Sequence, residues 1–322
     1  MNEHITRRRF IQSAAVTGAA ASAAAGLGLA AQAETLEHSY QDGLSPWPLG
    51  INTSTIRPAG FREKIEVTAE AGYDCIELWG NDLEDYENDG GDLEELGAEL
   101  AELGLDVPNV IGLWNAIPPT WEEFEDGLDT TKERLRRAAA VGAKRAAAVP
   151  MPDRDEMNLK QDAEMYRELL RIGREEYGVI VGLEFLGFLD GIHRLSQACA
   201  IAIEADDPEA CIINDLYHLY RGGSGMEGMN LIDGSMIGVF HWNDVPSEPP
   251  REELEDAHRI MPGDGILPLE DVLRMLWRTN YRGALTLELF NRELWERPPD
   301  EVARLGLEKM REGVRNAMQN VG

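Results

Sequence analysis

Four polar residues, each at the end of an apolar run, are the strongest chemical signal in this sequence. The runs are Ile180-Val-Gly-Leu-Glu184, Cys211-Ile-Ile-Asn-Asp215, Ile237-Gly-Val-Phe-His241 and Ala284-Leu-Thr-Leu-Glu288. Carboxylate oxygens and imidazole nitrogens bind hard and borderline divalent cations. Any one of these residues could be an ordinary polar strand end. Three carboxylates and one imidazole in the same setting predict a metal site, and therefore an enzyme.

The spacing of these residues indicates which elements must position them. The gaps of 31, 26 and 47 residues each suit one strand and one helix, with room for an insertion in the last. In a (β/α)8 barrel, the C-terminal ends of the strands meet on one face, where such proteins place their chemistry. We therefore expect the four side chains to converge on that face.

The alternation of side chains along each run supports this placement. Ile180, Gly182 and Glu184 share one face of the fifth predicted strand, because successive side chains of a strand point to opposite faces. The other three polar residues likewise continue rows of small or branched residues that can point into a barrel. A buried carboxylate is costly unless it is paired, and a bound cation would compensate it.

Strand-like and helix-like segments alternate along residues 48–322. Apolar or β-branched runs occur at 48–54, 75–80, 106–114, 145–151, 179–187, 210–216, 236–243 and 283–290. Amphipathic segments lie near 61–72, 92–103, 122–141, 160–176, 193–205, 268–279 and 299–319, and the Gly-rich stretch 224–234 suggests a sixth helix of one or two turns. This pattern predicts an α/β protein with a single (β/α)8 TIM barrel. A doubly wound sheet is the main alternative, but no GxGxxG phosphate loop follows the first strand.

The chain is strongly acidic. Its 322 residues include 30 Lys+Arg and 59 Asp+Glu, which gives a net charge of −29. So negative a surface repels phosphates and argues against a nucleic-acid partner. Excess acid with few lysines is typical of halophilic, salt-adapted proteins, and an ordinary acidic protein is the alternative. The three cysteines lie in apolar segments and form no disulfide framework or CxxC motif, so we expect them in the core.

The first 33 residues have the pattern of an export signal. Thr6-Arg-Arg-Arg-Phe-Ile-Gln12 is similar to a twin-arginine (Tat) motif, and an uncharged Ala- and Gly-rich run follows it. Ala31-Gln-Ala33 has the form of a signal-peptidase site. We expect residues 1–33 to be a signal peptide, 34–47 a leader and 48–322 the barrel. The protein would be periplasmic or extracellular without membrane contact, or membrane-anchored if the signal is uncleaved.

Six short sequence motifs occur in order along the chain, on the expected strands. They are Ala71-Gly-Tyr-Asp-Cys-Ile-Glu77, Gly182-Leu-Glu-Phe185, Asp215-Leu-Tyr-His218, His241-Trp-Asn-Asp244, Arg259-Ile-Met-Pro-Gly-Asp-Gly265 and Tyr281-Arg-Gly-Ala-Leu-Thr-Leu-Glu288. Together they resemble the xylose-isomerase-like TIM-barrel superfamily, particularly its sugar phosphate isomerase/epimerase and inosose isomerase branch, over about residues 48–318. The resemblance implies one divalent metal ion, Mn2+ first and Mg2+, Co2+ or Zn2+ as alternatives. Its ligands would be Glu184, Asp215, His241 and Glu288.

Such a site could move a proton on a hydroxy-ketone. The cation would stabilise an enediolate, while Glu184 and Glu288 flank the substrate carbon, one removing the α-proton and the other returning it. Return to the same carbon from the opposite face is epimerisation, and return to the neighbouring carbon is aldose–ketose isomerisation. The expected partner is a small sugar or cyclitol ketone.

Three further residues are candidates for binding the substrate. The resemblance implies that His218, in the DxxH motif that begins at Asp215, contacts substrate oxygens. A surface or capping histidine is the alternative. Arg259 could hydrogen-bond a polar substrate or form a surface ion pair, and Glu77 could hold the substrate or support another site residue. Four tryptophans near strand ends could line a sugar pocket or pack in the core: Trp47, Trp79, Trp114 and Trp242.

Other functions stay open at this point. Ketose 3-epimerases of the superfamily carry an arginine shortly after the metal histidine, whereas none follows His241 before Arg251, which disfavours that activity. Dehydration of an inosose-like ketone and non-catalytic binding of an exported sugar are alternatives. The related endonucleases need a cluster fed by many histidines, which this chain lacks, and no Gly-rich loop supports a phosphate on the substrate. A homo-oligomer is open too, since relatives include dimers and tetramers.

Overall fold

Eight parallel strands close into a barrel at the centre of the structure, a computed structural model that describes residues 40–319. They are Leu49–Asn52 (β1), Cys75–Trp79 (β2), Val110–Leu113 (β3), Arg145–Ala148 (β4), Ile180–Glu184 (β5), Cys211–Asp215 (β6), Ile237–Trp242 (β7) and Leu285–Leu287 (β8). Each strand pairs with its sequence neighbour, and β8 closes on β1. The predicted single (β/α)8 barrel is confirmed. The predicted signal peptide lies outside the described residues.

Helices surround this barrel in the part of the chain that the structure describes. They are Phe61–Ala71 (α1), Gly80–Asn88 (α2), Leu93–Glu102 (α3), Trp121–Ala140 (α4), Leu159–Ile172 (α5), Leu195–Glu204 (α6), Leu216–Arg221 (α7), Leu269–Arg278 (α8), Arg292–Trp295 (α9) and Pro299–Met318 (α10). The sequence pattern did not predict α2, in which Leu83 is the one buried residue. None of the described helices is both long and apolar enough to cross a membrane.

The helix after β6 begins earlier than predicted. α7 follows Asp215 directly, and the Oδ1 atom of this residue accepts a hydrogen bond from the backbone N–H of His218 at 3.0 Å. Such a cap satisfies a donor that the first turn leaves free. The Gly-rich stretch 224–234, where the short sixth helix was expected, holds a 3-10 turn at Glu227–Leu231, and a second, Gly234–Met236, begins at its end. His218 therefore lies inside a helix at the C-terminal mouth of the barrel.

The interior of the barrel has a small core of its own. Its buried members, with two half-buried rings packed against them, are Ile111, Ala147, Ile213, Val239, Trp79 and Trp114. Ile213 and Val239 stand two residues before Asp215 and His241, so strand alternation directs those polar residues inward as well. The register of β6 and β7 places Asp215 opposite His241. The predicted parity of the site strands is confirmed.

Residues before β1 are hydrogen-bonded to segments next to the barrel strands. The buried indole of Trp47 donates to the Tyr281 carbonyl at 2.9 Å. Gln41 donates from Nε2 to Oδ2 of Asp74 at 2.6 Å, and the same oxygen accepts from the backbone of Leu49 at 2.8 Å. The described residues of the predicted leader, from Tyr40 onward, therefore contact the barrel. The three cysteines are buried and unpaired, as predicted.

Two glycines within helices differ in their surroundings. At Gly306 of α10, an added Cβ would meet the Leu287 side chain and stand 2.7 Å from the Tyr73 hydroxyl. At Gly127 of α4, nothing lies within 4 Å of such an atom. The absence of a side chain at Gly306 thus lets α10 approach the barrel closely.

We expect Gly306→Ala to lower the free energy of unfolding by about 1–3 kcal/mol, because the methyl group overpacks a tight contact. Gly127→Ala is the matched control and should raise the free energy of unfolding by about 0.5–1 kcal/mol, since alanine loses less backbone entropy in a helix. Urea denaturation of both variants measures the difference. Stabilisation at both positions would contradict the close approach of α10.

Candidate metal centre

The four predicted ligands meet at the C-terminal mouth of the barrel. Glu184 and Asp215 are the last residues of β5 and β6, His241 is the penultimate residue of β7, and Glu288 follows β8 directly. All four are buried, and one ligand atom from each lies within 4.8 Å of the others. Residues as far apart in sequence as Glu184 and Glu288, 104 positions, are thus brought into one cluster by the closure of the barrel.

The ring of His241 carries two nitrogens with different surroundings. Nε2 lies 3.0 Å from Oε1 of Glu77, so it donates its hydrogen there. Nδ1 is buried without a hydrogen-bond partner and faces carboxylate oxygens of Glu288 at 3.1 Å, Asp215 at 3.4 Å and Glu184 at 3.6 Å. A lone pair among three carboxylates is repulsive unless a positive charge lies between them. The donor set and this orphaned atom therefore fit a divalent cation.

Without a metal ion, protons offset part of this negative charge. Burial opposes the charged form of His241, but the carboxylates of Glu288 and Glu77 outweigh it and raise the pKa of His241 well above its usual value. Burial also raises the pKa of Glu288 to about 7, against the opposing effect of His241. A cation entering the site would replace these protons.

Glu77 binds the His241 ring through Nε2, the nitrogen that does not face the other three candidate ligands. Its side chain is completely buried, and its carboxylate accepts from Asn109 at 2.6 Å, Asn52 at 2.9 Å and Thr286 at 3.0 Å in addition to His241. Burial works against ionisation here, but the nearby His241 and the hydrogen bonds lower the pKa of Glu77. Both oxygens are thus engaged by protein groups. Of its two predicted roles, these contacts favour support of another site residue.

Arg259 is hydrogen-bonded to two of the four candidate ligands. Its buried guanidinium donates from Nη1 to Oδ2 of Asp215 at 2.6 Å and to Oε2 of Glu288 at 2.8 Å. Nη2 and Nε both donate to Asp256, at 2.6 and 3.1 Å. Although burial opposes ionisation, Arg259 holds the pKa of Asp215 well below its usual value. Arg259 organises the candidate ligands, and its predicted contact with substrate stays a prediction.

His218 is buried beside this arginine. Its Nδ1 accepts from the backbone N–H of Gly187 at 3.1 Å, and burial lowers the pKa of His218, which favours the neutral ring. Nε2 lies 3.2 Å from Nη2 of Arg259. The half-exposed ring of Phe188 packs edge-on against the imidazole, with the centroids 5.4 Å apart. The predicted contact of His218 with substrate oxygens stays a prediction.

Sequence reasoning missed several asparagines that orient these groups. Asn52 donates from Nδ2 to Glu77 and, at 3.0 Å, to Glu288, while its Oδ1 accepts from the Trp79 indole at 2.7 Å. Asn243 donates to both oxygens of Asp215, at 3.3 and 3.4 Å. Asn52 ends β1 as the ligands end their strands, and that shared position was the signal available. Among the predicted pocket tryptophans, Trp79 and Trp114 stand at the mouth, whereas Trp47 and Trp242 are fully buried elsewhere.

Comparison with known proteins agrees with this architecture. The family model described as xylose isomerase-like TIM barrel matches residues 65–313. The inosose isomerase of Bacillus velezensis is 25% identical over 266 residues, which cover 79% of this chain and 92% of that protein. The Bacillus licheniformis inosose isomerase is 28% identical over 193 residues, which cover 58% of this chain and 66% of that protein. A 3-dehydroshikimate dehydratase of Pseudomonas putida is 23% identical, covering 77% of this chain and 39% of its own.

Solved structures share the fold. The IolI protein with a bound zinc atom superimposes with a TM-score of 0.77 at 20% identity, covering 84% of this chain and 99% of that one. At this identity the likeness concerns the fold. The closed barrel and the polar cluster at its mouth define a (β/α)8-barrel protein with a candidate metal centre. Because the family model matches most of its length, the chain belongs to the xylose isomerase-like TIM barrel family.

We expect Glu77→Gln to weaken Mn2+ binding by about 10–100-fold, because an uncharged amide no longer orients and polarises the His241 ring. Glu94→Gln, on the exposed face of α3, is a control with the same change of charge. Isothermal titration calorimetry on both folded variants measures the affinity. Equal Mn2+ affinity for Glu77→Gln and the control would contradict the role assigned to Glu77.

Proposed function

We propose that the protein is a divalent-metal-dependent isomerase or epimerase of small sugar or cyclitol ketones. The observation that carries the proposal is the buried cluster in which the unpartnered Nδ1 of His241 faces three carboxylates, two of them the paired glutamates Glu184 and Glu288. The relatives named inosose isomerases support this substrate class.

Glu184, Asp215, His241 through Nδ1, and Glu288 would hold the cation. Three oxygen donors and one nitrogen suit Mn2+, with Mg2+, Co2+ or Zn2+ as alternatives, and the zinc in the IolI structure supports a divalent ion. When bound, the cation would supply positive charge to offset the negative charge that develops on the substrate oxygens during proton removal.

The protein groups would carry the proton itself. One of Glu184 and Glu288 accepts the α-proton on a carboxylate oxygen, and the other glutamate delivers a proton to the same carbon or to its neighbour. The configuration of the substrate determines which glutamate acts first. Arg259 holds Oε2 of Glu288 in place at 2.8 Å, so that the carboxylate keeps one orientation as its charge changes. The imidazole of His218 would contact a substrate hydroxyl or carbonyl oxygen.

Dehydration is the second candidate function, and the related 3-dehydroshikimate dehydratase favours it. The same base would remove the α-proton, but the second carboxylic acid would protonate a departing β-hydroxyl as water. The product then contains a conjugated carbon–carbon double bond that absorbs ultraviolet light. Non-catalytic sugar binding predicts neither proton exchange nor product.

We also propose that the protein works outside the cytoplasm. The twin-arginine pattern in Thr6–Gln12 and the small residues of Ala31–Ala33 support export by that route. The excess of Asp and Glu supports adaptation to high salt. Because twin-arginine export carries folded proteins, the metal ion would be loaded before transport.

The test is turnover of ketoses and inososes in D2O by the Mn2+-loaded protein, followed by NMR and ultraviolet absorbance. We expect solvent deuterium at the α-carbon, and at least a 1,000-fold loss of exchange in Glu288→Gln, because that variant lacks one proton carrier. Glu293→Gln, an exposed neighbour on α9, should exchange normally. Product without deuterium would contradict proton transfer, and a new chromophore would assign dehydration.

A further inference from the structure

An arginine at the barrel mouth is held in place without using its hydrogen-bond donors. Arg57 follows the 3-10 turn after β1 and is exposed. Its guanidinium carbon lies 4.6 Å from the centroid of the Trp79 ring and 5.9 Å from that of Phe290. Among residues 40–319, no carboxylate or other acceptor engages this guanidinium. Its N–H groups are therefore free to bind a ligand.

Arg57 has no carboxylate partner although the chain is strongly acidic. With 59 acidic residues against 30 basic ones, many exposed arginines among residues 40–319 pair with carboxylates, whereas Arg292 and Arg315 do not. Arg62 pairs with Glu99, and Arg304 pairs with Asp300 at 2.7 Å. Arg57 contacts aromatic faces instead, which orient a guanidinium through cation–π attraction while leaving its N–H edge open.

The aromatic support of Arg57 connects directly to the candidate metal centre. The Trp79 indole donates to Asn52, which in turn donates to Glu288 at 3.0 Å. The ring of Phe290 also packs against Arg259, whose guanidinium carbon lies 5.0 Å from its centroid. Phe290 thus contacts one guanidinium that binds the ligand carboxylates and another that is open to solvent. A substrate with its ketone in the cluster would extend toward Arg57.

We propose that Arg57 binds a carboxylate at the far end of the substrate, so that the substrate class is a polyhydroxy keto acid. A planar guanidinium with a free edge matches a carboxylate through two parallel hydrogen bonds. A phosphate dianion would bring about twice the charge of a carboxylate to the same strongly acidic surface, which favours the carboxylate. This inference rests on the proposed function, since it assumes that the ketone end enters the metal cluster.

The test uses a matched ligand series and four forms of the protein. The ligands are the 2-ketohexoses of the D series, each with a hydroxyl, a carboxylate or a phosphate on the terminal carbon. Isothermal titration calorimetry with saturating Mn2+ compares wild type, Arg57→Gln, Arg57→Lys and Arg315→Gln. Arg315 is an exposed arginine near the end of α10, toward the opposite face of the barrel, and controls for the loss of one charge.

We expect at least one ketose acid to bind wild type about tenfold or more tightly than its neutral partner, as a charge-assisted pair allows. Arg57→Gln should remove this preference without changing affinity for the neutral ketose. Arg57→Lys should retain part of the preference, and Arg315→Gln all of it. The preference should also shrink as salt rises, because Arg57 is exposed.

Three results would overturn the inference. They are no acid preference in any ligand pair, an equal loss of acid and neutral binding in Arg57→Gln, and tighter binding of the phosphates than of the carboxylates. Failure of the proposed function looks different. An acid preference that depends on Arg57, with no solvent deuterium entering the bound ligand, would retain the anion site and reject the isomerase.

Discussion

The rest of this structure depends on concentrated negative charge in the dry mouth of the barrel. Four carboxylates, those of Glu77, Glu184, Asp215 and Glu288, surround one imidazole where burial penalises every ionised group. Arg259 and the ring of His241 can offset only part of that charge. A divalent cation at Nδ1 of His241, in place of the proton there, would offset more of that charge, and the surrounding hydrogen bonds fix the geometry in which it would be held.

The barrel supplies that geometry through strand ends, and loops stabilise it. Register aligns Asp215 with His241, and the same Asp215 carboxylate caps α7, which carries His218 to the mouth. Asn52 at the end of β1 and Glu77 within β2 then link the cluster to the Trp79 ring. The candidate ligands, His218 and the aromatic mouth are therefore one connected network, in which a change at one member reaches the others.

Much of this could be predicted because strands have a two-residue period. Each of the four ligands follows alternate residues of its strand that point into the barrel. Glu184 and Glu288 could therefore be assigned to the inner face before their distances were known. The orienting contacts could not be predicted in the same way. Asn52 meets Glu288 across 236 positions, and Arg57 meets Phe290 from the other end of the chain. Such pairs follow from closure of the barrel, which no local pattern records. α2 was missed because its buried face consists of Leu83 alone.

The central claim is that these four side chains bind one divalent ion. Anomalous diffraction from crystals grown with Mn2+ tests it most directly. Our account predicts one strong manganese peak per chain, bonded to Nδ1 of His241 and to oxygens of Glu184, Asp215 and Glu288. Saturating Mn2+ with no peak beside His241, or a peak on its Nε2 side next to Glu77, would contradict it.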